Sequence, residues 1–94
     1  MNEREMRLWK FPLLEDPREQ RYEWPHVVTV IAVQMQEARP VLWALVYPDS
    51  PKRMYKIMRF LTGEIVYGVT KHLGTVTDPD SGDVLHYFSG GPGL

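Results

Sequence analysis

The stretch Val27–Pro51, VVTVIAVQMQEARPVLWALVYPDSP, constrains this chain more than any other. Two runs of β-branched and aromatic residues flank a short polar break, and Pro48-Asp49-Ser50-Pro51 ends the second run abruptly. That is the pattern of a buried β-hairpin. Val27 to Gln36 reads as one strand, apolar on both faces at its start, as a central strand covered on each side would be. Val41 to Tyr47 reads as its partner, with Pro40 at the opening position where a missing N–H is tolerated.

The rest of the chain follows the same period. Trp9 and Phe11 alternate with Arg7 and Lys10 until Pro12. Gln20, Tyr22 and Trp24 alternate with Arg21 and Glu23 until Pro25. Met54 to Leu61, Leu73 to Thr77 and Val84 to Phe88 supply three more strands, the last two joined by the turn-forming run Asp78-Pro79-Asp80-Ser81-Gly82-Asp83. Residues 64–72 are ambiguous between a short strand and a loop, with a helical turn near Tyr67 to Lys71 as a further option. The eight prolines leave no stretch of about 12 residues with an apolar helical period and a cap. The expected fold is therefore mainly β: a small antiparallel barrel or sandwich of six to seven strands with at most one short helix. Residues 1–5 read as a flexible leader, 6–88 as a single β-rich domain, and 89–94 as a flexible tail.

Composition narrows the function classes. The chain has 94 residues and no cysteine, which excludes disulfides, thiolate nucleophiles and cysteine-ligated zinc. A chain this short buries only roughly 60–70% of its unfolded surface, so a homo-oligomer is expected as additional support. A net charge of −1 gives no overall attraction to nucleic acid, and sequence-specific DNA binding is not expected. No apolar run is long enough to span a membrane, and no secretory signal pattern is present. The expected location is the cytoplasm.

Charge is nonetheless uneven. Residues 51–72 carry five basic groups (Lys52, Arg53, Lys56, Arg59, Lys71) against one acid, Glu64, a net of +4, whereas residues 73–94 carry three acids and no lysine or arginine, a net of −3. On the fifth strand Arg53, Tyr55 and Arg59 share one face by alternation, with Lys56 on the other. Arginine and aromatic side chains interleaved on a sheet can hold a nucleotide by stacking and phosphate contacts. Arg53, Tyr55, Lys56 and Arg59 are thus the candidate ligand-binding residues, against the blander alternative of a solvated basic face. Trp9, Trp24 and Tyr47 are candidate interface residues, because aromatic side chains supply most interface energy.

Catalytic signals are weak. Ser50, Ser81 and Ser89 stand in no nucleophile-elbow pattern, and His26, His72 and His86 show no paired metal-ligand spacing. The acidic turn begins like a calcium loop, but Gly82 comes one place early and Ser89 stands where the bidentate glutamate belongs. No catalytic residue, metal ligand or cofactor is assigned, and an enzyme is the less favoured class.

One resemblance covers nearly the whole chain, from about Met6 to Phe88. The segments Leu8-Trp9-Lys10-Phe11-Pro12-Leu13, Trp24-Pro25, Ile31–Gln36, Leu42–Pro51, Thr62-Gly63, Leu73-Gly74-Thr75-Val76 and Leu85-His86-Tyr87-Phe88 occur in that order. This serial pattern resembles an uncharacterised family of small phage and prophage proteins, with Leu42-Trp43-Ala44-Leu45-Val46 as its most specific block. The resemblance implies an accessory binding role rather than a known activity. It favours a counter-defence protein that sequesters a small anionic, nucleotide-type immune signal. The alternatives are a protein-binding inhibitor of a host factor and a structural or virion-accessory protein.

Overall fold

A computed structural model describes residues 5–94, so most of the expected leader lies outside the described residues. Seven strands run in the order β1 (Arg7–Pro12), β2 (Glu19–Trp24), β3 (His26–Gln36), β4 (Arg39–Tyr47), β5 (Arg53–Leu61), β6 (Lys71–Thr77) and β7 (Val84–Ser89). They form two antiparallel sheets, β1-β4-β3 and β2-β5-β7-β6, packed as a sandwich that does not close into a barrel. No helix occurs among the described residues, and 62–70 is a loop. The expected mainly-β sandwich is the observed one.

The core follows from alternation. Leu42, Ala44 and Val46 of β4 are fully buried and face Tyr55 and Ile57 of β5, with Tyr87 and Leu85 of β7 beneath. Phe11 stacks on Trp24 at 4.3 Å between ring centroids, which joins β1 of one sheet to β2 of the other. The chain changes sheets within a single residue, the buried Pro25 between β2 and β3.

β3 departs from its sequence reading. It is an edge strand, and its pairing with β4 slips twice, so that Val28 and Ile31 are extra residues in two bulges. Buried or core-packed positions therefore recur as Val27, Val30 and Val33, three apart instead of two. Each bulge absorbs the odd residue and turns it outward. The apolar run arises from that spacing and not from cover on both faces, since Val28 and Ile31 are exposed.

The β3–β4 hairpin turns through Glu37 and Ala38, whose φ angles are +51° and +63°. Two left-handed residues in a two-residue loop match the twist of the flanking strands, a geometry that Asn-Gly takes with less strain. At the far side of the sandwich β6 crosses close beneath β3. A Cβ added at Gly74 would lie 2.7 Å from Val33 Cβ and 3.2 Å from the Val33 backbone nitrogen.

The C-terminal residues are not a free tail. Ser89 completes β7 and is fully buried, the Gly90 N–H donates to the Lys56 carbonyl at 2.8 Å, and Leu94 packs against the core. The β1–β2 connection wraps around buried Gln20. The Gln20 side-chain amide donates to the carbonyls of Leu14 and Pro17 at 2.7 and 2.8 Å, and its oxygen accepts the Leu14 N–H at 3.1 Å. Next to this loop, Glu15 meets Asp78 of the β6–β7 turn. Desolvation and a hydrogen bond shared with Asp78 push the Glu15 carboxyl up, whereas backbone N–H donation from Asp80 holds Asp78 down.

Three outcomes follow from these contacts. Gly74→Ala is expected to destabilise the fold by about 1–3 kcal/mol through overpacking against Val33, read as a lowered melting temperature. Glu37→Asn with Ala38→Gly is expected to stabilise it by about 0.5–1 kcal/mol in the same measurement. A raised folded-state pKa contributes stability below the unfolded pKa and loses it as pH rises through the folded value. Glu15→Gln keeps a donor for Asp78 without a charge, so its melting temperature is expected to exceed the parent's at pH 7, with the gap narrowing towards pH 4.

Candidate functional site

The basic fifth strand is drawn into the fold. Its alternation holds as read, but the face carrying Tyr55, Ile57 and Arg59 points inward. Tyr55 is only 2% exposed, and its hydroxyl accepts the Val27 N–H at 3.0 Å. Its ring is a core element and offers no stacking platform. Arg59 is 7% exposed and pairs with Asp16 at 2.8 Å and Glu64 at 3.7 Å. Lys56 reaches Glu19 at 3.4 Å. Arg53 lies exposed at the strand's start, beside exposed Lys52. The four residues are thus not gathered on one open surface.

These pairings also account for the local charge excess. Asp16, Glu19 and Glu64, from the β1–β2 connection, β2 and the 62–70 loop, neutralise two of the strand's cations. Hydrogen bonds from Arg21 and Lys56 hold the Glu19 carboxyl below the usual glutamate range. The Leu61 N–H does the same for Glu64, aided by Arg18 and Arg59.

The three aromatic candidates separate as well. Trp24 is buried between Phe11 and Tyr22, with ring centroids 4.3 and 4.8 Å away. Tyr47 is half-buried, its ring 5.7 Å from that of His26. Trp9 is exposed on β1, tilted against Phe11 at 6.2 Å.

What the structure does leave open is the outer face of the three-stranded sheet. Strand pairing places Leu8 beside Leu45 and Lys10 beside Trp43, and Thr29 and Ala32 of β3 complete those rows. Leu8 is 58% and Ile31 56% exposed, with Val28 exposed near them, while Trp43 and Leu45 are half-buried. Lys10 lies over this face: its ammonium sits 5.8 Å from the Trp43 ring centroid and donates to Gln36 at 2.8 Å. The Trp43 indole N–H is buried with no hydrogen-bond partner among the described residues.

The opposite sheet is covered. The 62–70 loop folds back over β5 and β7, where Tyr67 meets Phe60 edge-on at 5.8 Å and Arg18 pairs with Glu64. Between this loop and the sheet lies a shallow pocket of about 230 Å³ lined by Phe60, Leu61, Val66, His86 and Phe88 among others. A polar chain borders it. His86 contacts the hydroxyls of Thr62 at 2.8 Å and Thr75 at 3.0 Å, and Thr75 contacts His72 at 2.9 Å. No group of three or more metal-ligating side chains gathers among the described residues.

Sequence reasoning missed the outer sheet face because its residues lie on three strands and two of its exposed members, Val28 and Ile31, are bulge residues. The specific block Leu42–Val46 was its one visible trace, since that strand floors the face with Trp43 and Leu45 while sending Leu42, Ala44 and Val46 into the core.

Among curated proteins and solved structures, none matches this chain. A family profile described as a domain of unknown function, DUF7352, matches residues 5–92, from the first described residue to beyond the last strand, and the chain belongs to that family.

Proposed function

We propose that this chain is a non-enzymatic binding module that recognises a protein partner across the outer face of the β1-β4-β3 sheet. The observation that carries the reading is the exposure of Leu8 and Ile31, 58% and 56%, at either side of a floor made by Trp43 and Leu45. Apolar side chains clustered on an open sheet face, crossed by Lys10 and rimmed by Gln34 and Gln36, have the composition of an interaction surface. Trp43 supplies the kind of anchor that dominates interface energy. The phage setting follows from the sequence resemblance, and within it the partner is a host factor that the module blocks or redirects.

Sequestration of a nucleotide-type signal is the second reading. It keeps the exposed Lys52 and Arg53, but it loses the aromatic ring between the arginines, because Tyr55 serves the core. A charge pair without a stacking surface holds phosphate weakly and selects no base.

The test is affinity capture from host lysate with two variants on different surfaces. Ile31→Glu places a charge on the proposed face without entering the core, and is expected to weaken the captured complex by about 2 kcal/mol, roughly thirtyfold. Arg53→Glu is expected to leave that complex unchanged. Retention of the partner by Ile31→Glu defeats the reading. A melting-temperature increase with cyclic oligonucleotides that Arg53→Glu abolishes turns the assignment to the second one.

A further inference from the structure

β1 is an edge strand whose outer side is open among the described residues. The Leu13 N–H donates to the Pro40 carbonyl at 2.9 Å, which fixes the hydrogen-bonding phase of the β1–β4 pair. Leu13, Phe11, Trp9 and Arg7 direct their backbone groups to β4, so those of Pro12, Lys10 and Leu8 point away from the sheet. Pro12 thus stands where its missing N–H costs no ladder bond.

The other three edges carry features that discourage pairing. On β2 the same phase argument, from the Arg59 N–H to the Arg18 carbonyl, leaves Glu19, Arg21 and Glu23 at the open positions. All three are exposed and charged. β3 is bulged twice, and β6 is bulged at Leu73. Bulges and charges are the usual guards of a sheet edge. β1 has exposed Leu8 and Trp9 instead, with exposed Met6 just before it. Its one lysine is drawn back across β4 towards Gln36, and Arg7 turns to Glu5 at 3.1 Å.

We infer that β1 pairs antiparallel with β1 of a second copy of this chain, Leu8 opposite Leu8, to make one sheet that runs through both subunits. The register is selected by the residues themselves. Centring on Arg7 would set two guanidinium groups against each other. Centring on Trp9 would set Pro12 opposite Met6 and lose a donor there. Centring on Leu8 sets Arg7 against Trp9 and Lys10 against Met6, with no like-charge pair and every donor present between Glu5 and Phe11. A groove of about 300 Å³ lined by Glu5, Arg7, Trp9, Pro48 and Asp49 opens beside β1. In this register Trp9 of the second copy lies opposite Arg7, at the rim of that groove. The surface is thus complementary to itself, as a two-fold contact requires.

This inference rests on the backbone edge of β1 and not on the protein-binding reading. The two share Leu8, but that reading is tested at Ile31 on β3 and by partner capture, whereas this one is read as self-association of the chain alone. Sedimentation equilibrium of the full chain from about 1 to about 200 µM is expected to give twice the 11.0 kDa chain mass at the upper end. Leu8→Lys and Leu8→Asp are each expected to weaken self-association at least about a hundredfold by opposing like charges, and an equimolar mixture of the two to recover the dimer. Hydrogen exchange on the unaltered chain checks the same contact without a substitution. The Leu8 and Lys10 amides are expected to be protected at high concentration and to lose protection on dilution, while Arg7 and Trp9, bonded to β4, keep theirs. A chain at 11.0 kDa throughout overturns the inference. So do a dimer that survives both substitutions, a mixture that fails to recombine, and unprotected Leu8 and Lys10 amides at high concentration.

Discussion

The fold depends on how the chain turns its corner at Pro25. There the polypeptide leaves one sheet and enters the other, and a passage this short strands backbone donors inside the molecule. Two side chains meet that need. The His26 N–H donates to Ser50 Oγ at 2.7 Å, and the Val27 N–H donates to the Tyr55 hydroxyl at 3.0 Å. Ser50 is itself held by donating to the Tyr47 carbonyl at 2.6 Å. A buried donor without a partner costs about 1–3 kcal/mol, so both groups are structural requirements of the crossover. With the corner fixed, Trp24 and Val27 enter the core from opposite sheets, and Phe11 can stack on Trp24.

This explains why Tyr55 is not available to a ligand. Alternation correctly puts Arg53, Tyr55, Ile57 and Arg59 on one face, but a local pattern cannot say which face turns inward. Both faces of β5 carry apolar groups, with Ile57 on one and Met58 and Phe60 on the other, and all three are buried. The decision is made by distant residues: Val27 needs an acceptor, and Asp16 and Glu64 give Arg59 its partners. Val27 and Asp16 are far from β5 in sequence until the chain folds, and only Glu64, just past its end, is local. The strands, the hairpin and the strong turns were legible because each depends on neighbours a few residues apart. The bulges in β3 were not, because an apolar residue turned outward by a bulge looks in sequence like one turned inward by a second layer. The C-terminal run of glycines likewise reads as a tail, although Gly90 and Leu94 are tied to β5 and the core.

The two sheets solve the problem of their outer faces differently. The four-stranded sheet uses its own chain: the 62–70 loop lays Tyr67 over Phe60, anchored through Arg18 and Glu64 and through the Thr70 hydroxyl on Ser89. Among the described residues the three-stranded sheet has no comparable segment. Its β3–β4 hairpin is closed by two residues, which is too short to reach back over the strands, and Lys10 alone lies across the middle. The long hairpin therefore presents apolar side chains that no part of the described chain covers.

Size makes this asymmetry difficult to remove from within. The molecule measures 49 × 29 × 16 Å, a slab thin enough that one layer of side chains fills the space between its sheets. Hydrophobic residues make up 44% of the chain, more than a single layer of that area accommodates once Leu42, Ile57, Tyr55 and Tyr87 have filled its centre. The surplus must appear on a surface, and part of it appears on β1 and the outer sheet face, at Leu8, Trp9, Val28 and Ile31, where no loop of the described residues lies over it. A chain of this size gains most by covering such a surface with another polypeptide, because its own interior has no room left to grow.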